Sequence, residues 1–65
     1  MQAHTGDRII VERAHLGEPR RVGEVIEVHG TDGAPPYLVR WLDTGHETLL
    51  FPGPDARVEP RAQAR

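Results

Sequence analysis

Four histidines, His4, His15, His29 and His46, are the first side chains to weigh for chemistry, because imidazole both ligates metals and moves protons near neutral pH. They stand on separate segments, and none is paired with another at the short spacing that holds a zinc ion. The chain has no cysteine, which excludes thiolate metal sites, a thiol nucleophile and disulfides together. Asp43, Thr44, His46 and Glu47 crowd one short stretch and supply the group types of a hydrolytic centre. General acid–base chemistry needs such groups held in a water-restricted cleft, whereas Asp43-Thr44-Gly45-His46 has the composition of a solvated turn. Gly30-Thr31-Asp32-Gly33 lacks the lysine and the following helix of a phosphate-binding loop and is a turn as well. No enzyme activity, metal or cofactor is expected.

Recognition is the chemistry that remains. Arg13, Arg20 and Arg21 gather with His15 around one loop, and Arg40 stands between Tyr37 and Trp41 in sequence but on the opposite face of their strand. Arginines and aromatic platforms are the means by which small β domains hold nucleic acid. Against this stand eight basic and ten acidic residues, a net charge of −2, and one Trp, one Tyr and one Phe. The isoelectric point near 6.0 implies a field that repels a polyanion, and Trp41 belongs to the core by its position. Tyr37, Leu38, Leu42, Leu50 and Phe51 are more apolar side chains than so small a domain hides. Leu38, Arg40 and Leu42 are expected to neighbour Thr48 and Leu50 across one hairpin. The expected interaction surface comprises Arg13, His15, Arg20, Arg21, Tyr37, Leu38, Arg40, Leu42, His46, Leu50 and Phe51. Its partner is a protein, either another chain or a second copy, with RNA or DNA binding through the Arg-rich loop as the alternative.

These residues have to be positioned by 65 residues of which 37% are hydrophobic, enough for one small core and no second domain. Ile9-Ile10-Val11 is a first strand, with Ile9 and Val11 inward and Ile10 on the polar side beneath a loop. Residues 14–21 form the longest loop. Val22 to His29 is a second strand whose alternation breaks once, so that a bulge near Ile26 or Glu27 would bring Val25 and Val28 to one face. Gly23 there suits a close backbone approach. A turn and a stiff extended Pro35-Pro36 pair lead into Tyr37 to Leu42, with Tyr37, Val39 and Trp41 on one face. Glu47 to Phe51 returns as a fourth strand, and Arg57-Val58-Glu59 closes as a fifth after Pro52-Gly53-Pro54-Asp55.

Five short antiparallel strands predict an all-β domain over residues 1–59, an SH3-like barrel or else a bent open five-stranded sheet. An OB-fold fits less well, since it places a helix between its third and fourth strands. Residues 60–65 are a polar tail with at most one helical turn. No apolar leader and no stretch of membrane-spanning length is present, so a cytoplasmic location is expected.

Several segments together resemble a known family. They are Gly6-Asp7-Arg8-Ile9-Ile10-Val11, Arg21-Val22-Gly23-Glu24-Val25-Ile26-Glu27-Val28, Asp32 to Trp41, and Gly45-His46-Glu47 followed by Phe51-Pro52-Gly53-Pro54-Asp55-Ala56. This combination resembles the small actinobacterial proteins of domain of unknown function 1918, from Met1 to about Glu59. The resemblance implies a small β protein with a sheet or SH3-like core, and it brings no catalytic or ligand residues. The Gly-Asp start and the Arg-rich loop also look like the barrel of nitrile hydratase beta subunits and like KOW-type nucleic-acid-binding barrels. An accessory role in an enzyme assembly is the further expectation from that likeness.

Overall fold

A computed structural model describes residues 1–12 and 20–60. Five strands follow in chain order: β1 (Arg8–Val11), β2 (Arg21–Val28), β3 (Tyr37–Trp41), β4 (Glu47–Leu50) and β5 (Ala56–Glu59). A short 3₁₀ turn, Thr31–Gly33, lies between β2 and β3. All four pairings are antiparallel, and the sheet has the order β4-β3-β2-β1-β5. Its edges, β4 and β5, do not pair with each other, so among the described residues the sheet is open, the second of the two architectures expected. Described β2 starts one residue earlier than expected, and β4 ends at Leu50, before Phe51. No described helix is long and apolar enough to cross a membrane.

The register shift between Val25 and Glu27 places a bulge at Ile26. Val25 then opposes Val39, and Val28 opposes Tyr37, all on one face. Without the extra residue one of the two valines would turn to solvent, so the broken alternation in the sequence and the bend in β2 have one cause. That face holds the core: Ala3, Ile9, Val25, Tyr37, Val39 and Trp41, with Val11, Val28, Leu50 and Val58 packed against it. Gly23 sits within this layer, where a Cβ would lie 2.2 Å from Val39 Cγ1 and 3.1 Å from Trp41 Cε3. Only glycine lets β2 come that close.

The N-terminal residues are stitched to this sheet through the backbone. Ala3 N–H donates to the Gly33 carbonyl at 2.9 Å, and Gly6 N–H to the Val25 carbonyl at 2.8 Å. Ile10 is buried on the outer face, opposite Val22 and Arg57, and is not part of the core cluster. Most of the loop expected above it, at 13–19, lies outside the described residues, as do residues 61–65 of the tail. The Pro35–Pro36 peptide bond in the turn before β3 is cis.

Candidate interface on the β3–β4 hairpin

The hairpin is built on a four-residue loop, Leu42 to Gly45. Trp41 N–H donates to the His46 carbonyl at 2.9 Å and Gly45 N–H to the Trp41 carbonyl at 2.7 Å. Gly45 has φ +79°, the left-handed conformation that closes such a loop and that a side chain disfavours. The loop length sets the register: Tyr37 opposes Leu50, Leu38 opposes Leu49, Val39 opposes Thr48 and Arg40 opposes Glu47.

This register corrects the expected surface. Tyr37 is fully buried, and Leu50 opposite it is half-buried against the core, so neither belongs to the outer face. Thr48 opposes Val39 and so lies on the core-side face, and although exposed its Oγ1 accepts the Trp41 indole N–H at 3.2 Å. An even-numbered loop pairs even positions of β3 with odd positions of β4, so Leu38 and Arg40 share their face with Leu49 and Glu47. Leu49 is the residue that sequence reasoning missed. Counting the pairs outward from Trp41 and His46 is the signal that finds it.

Across the outer face the registers place Glu47, Arg40, Glu24, Arg8 and Glu59 side by side, one from each strand and alternating in sign. Arg40 Nη2 lies 3.4 Å from Glu47 Oε2. Opposite charges on facing positions stabilise a pairing and like charges oppose it, so the row favours this alignment of strands over its neighbours. Leu38 and Leu49 lie to one side of the row.

At the tip, Arg21 joins β2 to the hairpin. Its guanidinium lies 4.3 Å from the centre of the Trp41 ring and donates to Asp43 Oδ1 at 3.0 Å. That hydrogen bond, with the charge of Arg21, holds the Asp43 carboxyl below the ordinary carboxylate range against a smaller opposing effect of desolvation. Thr44 Oγ1 accepts the His46 backbone N–H at 3.2 Å, and His46 and Glu47 are exposed. Trp41 is buried with one ring face under Arg21, which leaves no open platform for a base.

Of the other expected surface residues, Leu42, Phe51 and Arg20 are exposed, Leu38 is half-buried, and Arg13 and His15 lie outside the described residues. Phe51 is 71% exposed, the largest value among the exposed large hydrophobic residues, which also include Met1, Leu42 and Leu49. The described histidines do not converge. His4 lies beside Asp7, His29 Nε2 donates to Glu27 Oε1 at 2.9 Å, and His46 is at the tip. Among the described residues no three His, Asp or Glu side chains are grouped to hold a metal ion.

Comparison with known proteins adds the family. The model of Domain of unknown function (DUF1918) matches residues 1–58. Uncharacterized protein Rv0569 of Mycobacterium tuberculosis is 47% identical over 58 residues, covering 89% of this chain and 66% of that protein. Uncharacterized protein Rv2302 of the same species is 43% identical over 74 aligned positions, covering all of this chain and 92% of the relative. Uncharacterized protein Mb2324 of Mycobacterium bovis aligns to the same extent at the same identity. The chain thus spans about two thirds of the first of these relatives and nearly all of the other two. No solved structure matches it. With the match running through every described strand but the last residue of β5, the chain belongs to the DUF1918 family.

Proposed function

We propose that the chain is a non-catalytic protein-binding module that works through the outer face and edge of the β3–β4 hairpin and the Phe51 that follows it. The observation that carries this reading is the clustering of exposed apolar side chains. Three of the four large hydrophobics exposed among the described residues, Leu42, Leu49 and Phe51, fall on one hairpin and its exit. Water left against such a group is released when a partner covers it.

Electrostatics favours a protein over a nucleic acid. Arg21 and Arg40 each have a carboxylate partner, and the chain's net charge is −2. A polyanion would have to displace those partners. The solvated tip favours binding over catalysis, since an Asp43 carboxyl held ionised by Arg21 is poorly matched to donating a proton near neutral pH. An accessory role beside an enzyme is compatible with the same surface.

The test is capture of partners by the tagged full chain with and without nuclease, at low and moderate salt, compared with Phe51→Asp and with Arg20→Glu. Capture that withstands nuclease and salt and is lost in Phe51→Asp is the expected result. Capture abolished by nuclease, falling steeply with salt and lost in Arg20→Glu assigns the domain to nucleic acid instead.

A further inference from the structure

The path from β2 to β3 passes through an Asp-Gly pair. Asp32 is exposed, and Gly33 after it has no side chain to crowd its own backbone nitrogen. The other aspartates precede Arg8, Thr44 and Ala56, each with a side chain that does. Two of them are also engaged: the buried Asp7 carboxyl accepts the His4 backbone N–H, and Asp43 accepts from Arg21.

Asp32 and Gly33 are the central residues of a type I′ turn. Asp32 has φ +57° and ψ +38°, Gly33 has φ +84°, and Ala34 N–H donates to the Thr31 carbonyl at 3.0 Å. An aspartyl carboxyl attacked by the next residue's nitrogen closes a five-membered ring, for which that nitrogen must eclipse Cβ about the Cα–C bond. In an L-residue the eclipse falls at ψ of about −120°, the value at the first central residue of a type II′ turn. At ψ +38° the Gly33 nitrogen points nearly opposite to Cβ. The turn is held so from outside. The Gly33 carbonyl accepts the Tyr37 O–H at 2.7 Å and the Ala3 N–H at 2.9 Å, and a Cβ on Gly33 would lie 3.0 Å from the Ala3 carbonyl oxygen. Swinging the Asp32–Gly33 peptide into the reactive arrangement disturbs a segment clamped between the N-terminal residues and the core.

We infer that Asp32 is a site of spontaneous backbone modification, isoaspartate formation, which the folded turn holds closed and which release of Gly33 from Ala3 and Tyr37 opens. The Gly33 nitrogen bonds to Asp32 Cγ and gives up its proton, which leaves with the carboxyl hydroxyl as water, and a succinimide remains. Water then adds to one ring carbonyl and breaks its C–N bond. Cleavage at the side-chain carbonyl restores aspartate, whereas cleavage at the main-chain carbonyl leaves the chain running through Cγ. The second product has an extra main-chain carbon inside a two-residue turn, so Gly33 no longer reaches both donors and the opened turn does not close again.

The purified full chain, incubated at neutral pH in buffer and in denaturing urea, is digested and its isoaspartate located by electron-transfer fragmentation. In denaturing urea the product should form at Asp32 before any other aspartate. In the native chain it should form about 5- to 150-fold more slowly, the factor for two hydrogen bonds that must first be released. Tyr37→Phe removes one of them and should speed the native reaction by about two- to tenfold, with no change in denaturing urea. For the unaltered chain in urea below its unfolding transition, the rate should rise in step with amide exchange of Ala3, a readout that needs no variant to fold. A native rate equal to that in denaturing urea overturns the gate. Isoaspartate that appears first at another aspartate overturns the site. A folded Tyr37→Phe chain that reacts no faster, or a rate that does not follow Ala3 exchange, overturns the role of the Gly33 carbonyl.

Discussion

The Tyr37 hydroxyl and the Ala3 N–H share one acceptor, the Gly33 carbonyl, at 2.7 and 2.9 Å. One oxygen therefore ties the N-terminal segment, the turn before β3 and the core strand. Desolvation by burial raises the phenol above its ordinary value of 10.0. A raised folded value means that the native state holds this proton more tightly than the unfolded chain does. The contribution to stability is complete below about pH 10 and is lost as pH rises through the folded value. Urea unfolding across alkaline pH should show that decline. Tyr37→Phe should lack it while starting lower by about 0.5–1.5 kcal/mol for the missing hydrogen bond. The chain has one tyrosine, so phenolate absorbance follows this group alone. Alternation along Tyr37-Leu38-Val39-Arg40-Trp41 makes the inward side chain legible in the sequence. The acceptor is not legible, because Gly33 reaches the hydroxyl only through the path of the whole Gly30 to Pro36 turn.

Two features of β2 and its neighbours act at the level of the element. Gly23 lets Val39 and Trp41 pack against the bare backbone, and a methyl group there meets Val39 Cγ1 at 2.2 Å. Gly23→Ala should destabilise the fold by about 1–3 kcal/mol through overpacking. Combined with Val39→Ala, which empties the same space, the loss should be smaller than the sum of the two single losses in a double-mutant cycle. Arg40 lies between Glu24 and Glu47 in the charge row. Arg40→Glu would set three carboxylates side by side. Its unfolding free energy should fall below that of Arg40→Ala by about 0.2–1 kcal/mol for each of the two pairs, with the gap narrowing in high salt. The bulge at Ile26 and the close approach at Gly23 could be read from local composition, since both are violations of a period of two. The charge row could not, because it depends on four registers at once and each is set by residues far apart in sequence.

For the whole molecule, one core cluster contains both Tyr37 and Trp41, along with residues from the N-terminal segment and the first three strands. The two rings should therefore report a single cooperative transition. Trp41 fluorescence and Tyr37 near-ultraviolet circular dichroism should coincide along a urea titration, with a slope of about 1 kcal/mol per molar for a domain of this size. Separated midpoints would show that β3 unfolds in stages. The strands, the inward residues of β1, β2 and β3, the bulge and the turn glycine at position 45 were determined by the sequence alone, because pleat, alternation and turn chemistry act between near neighbours. Only the tertiary structure decided which leucine of β4 faces outward, that Arg21 lies over Trp41 with Asp43 as its partner, and that the sheet stays open. The reason is that register and edge exposure arise from the lengths of all the loops together, and shifting one strand by a single residue exchanges its two faces.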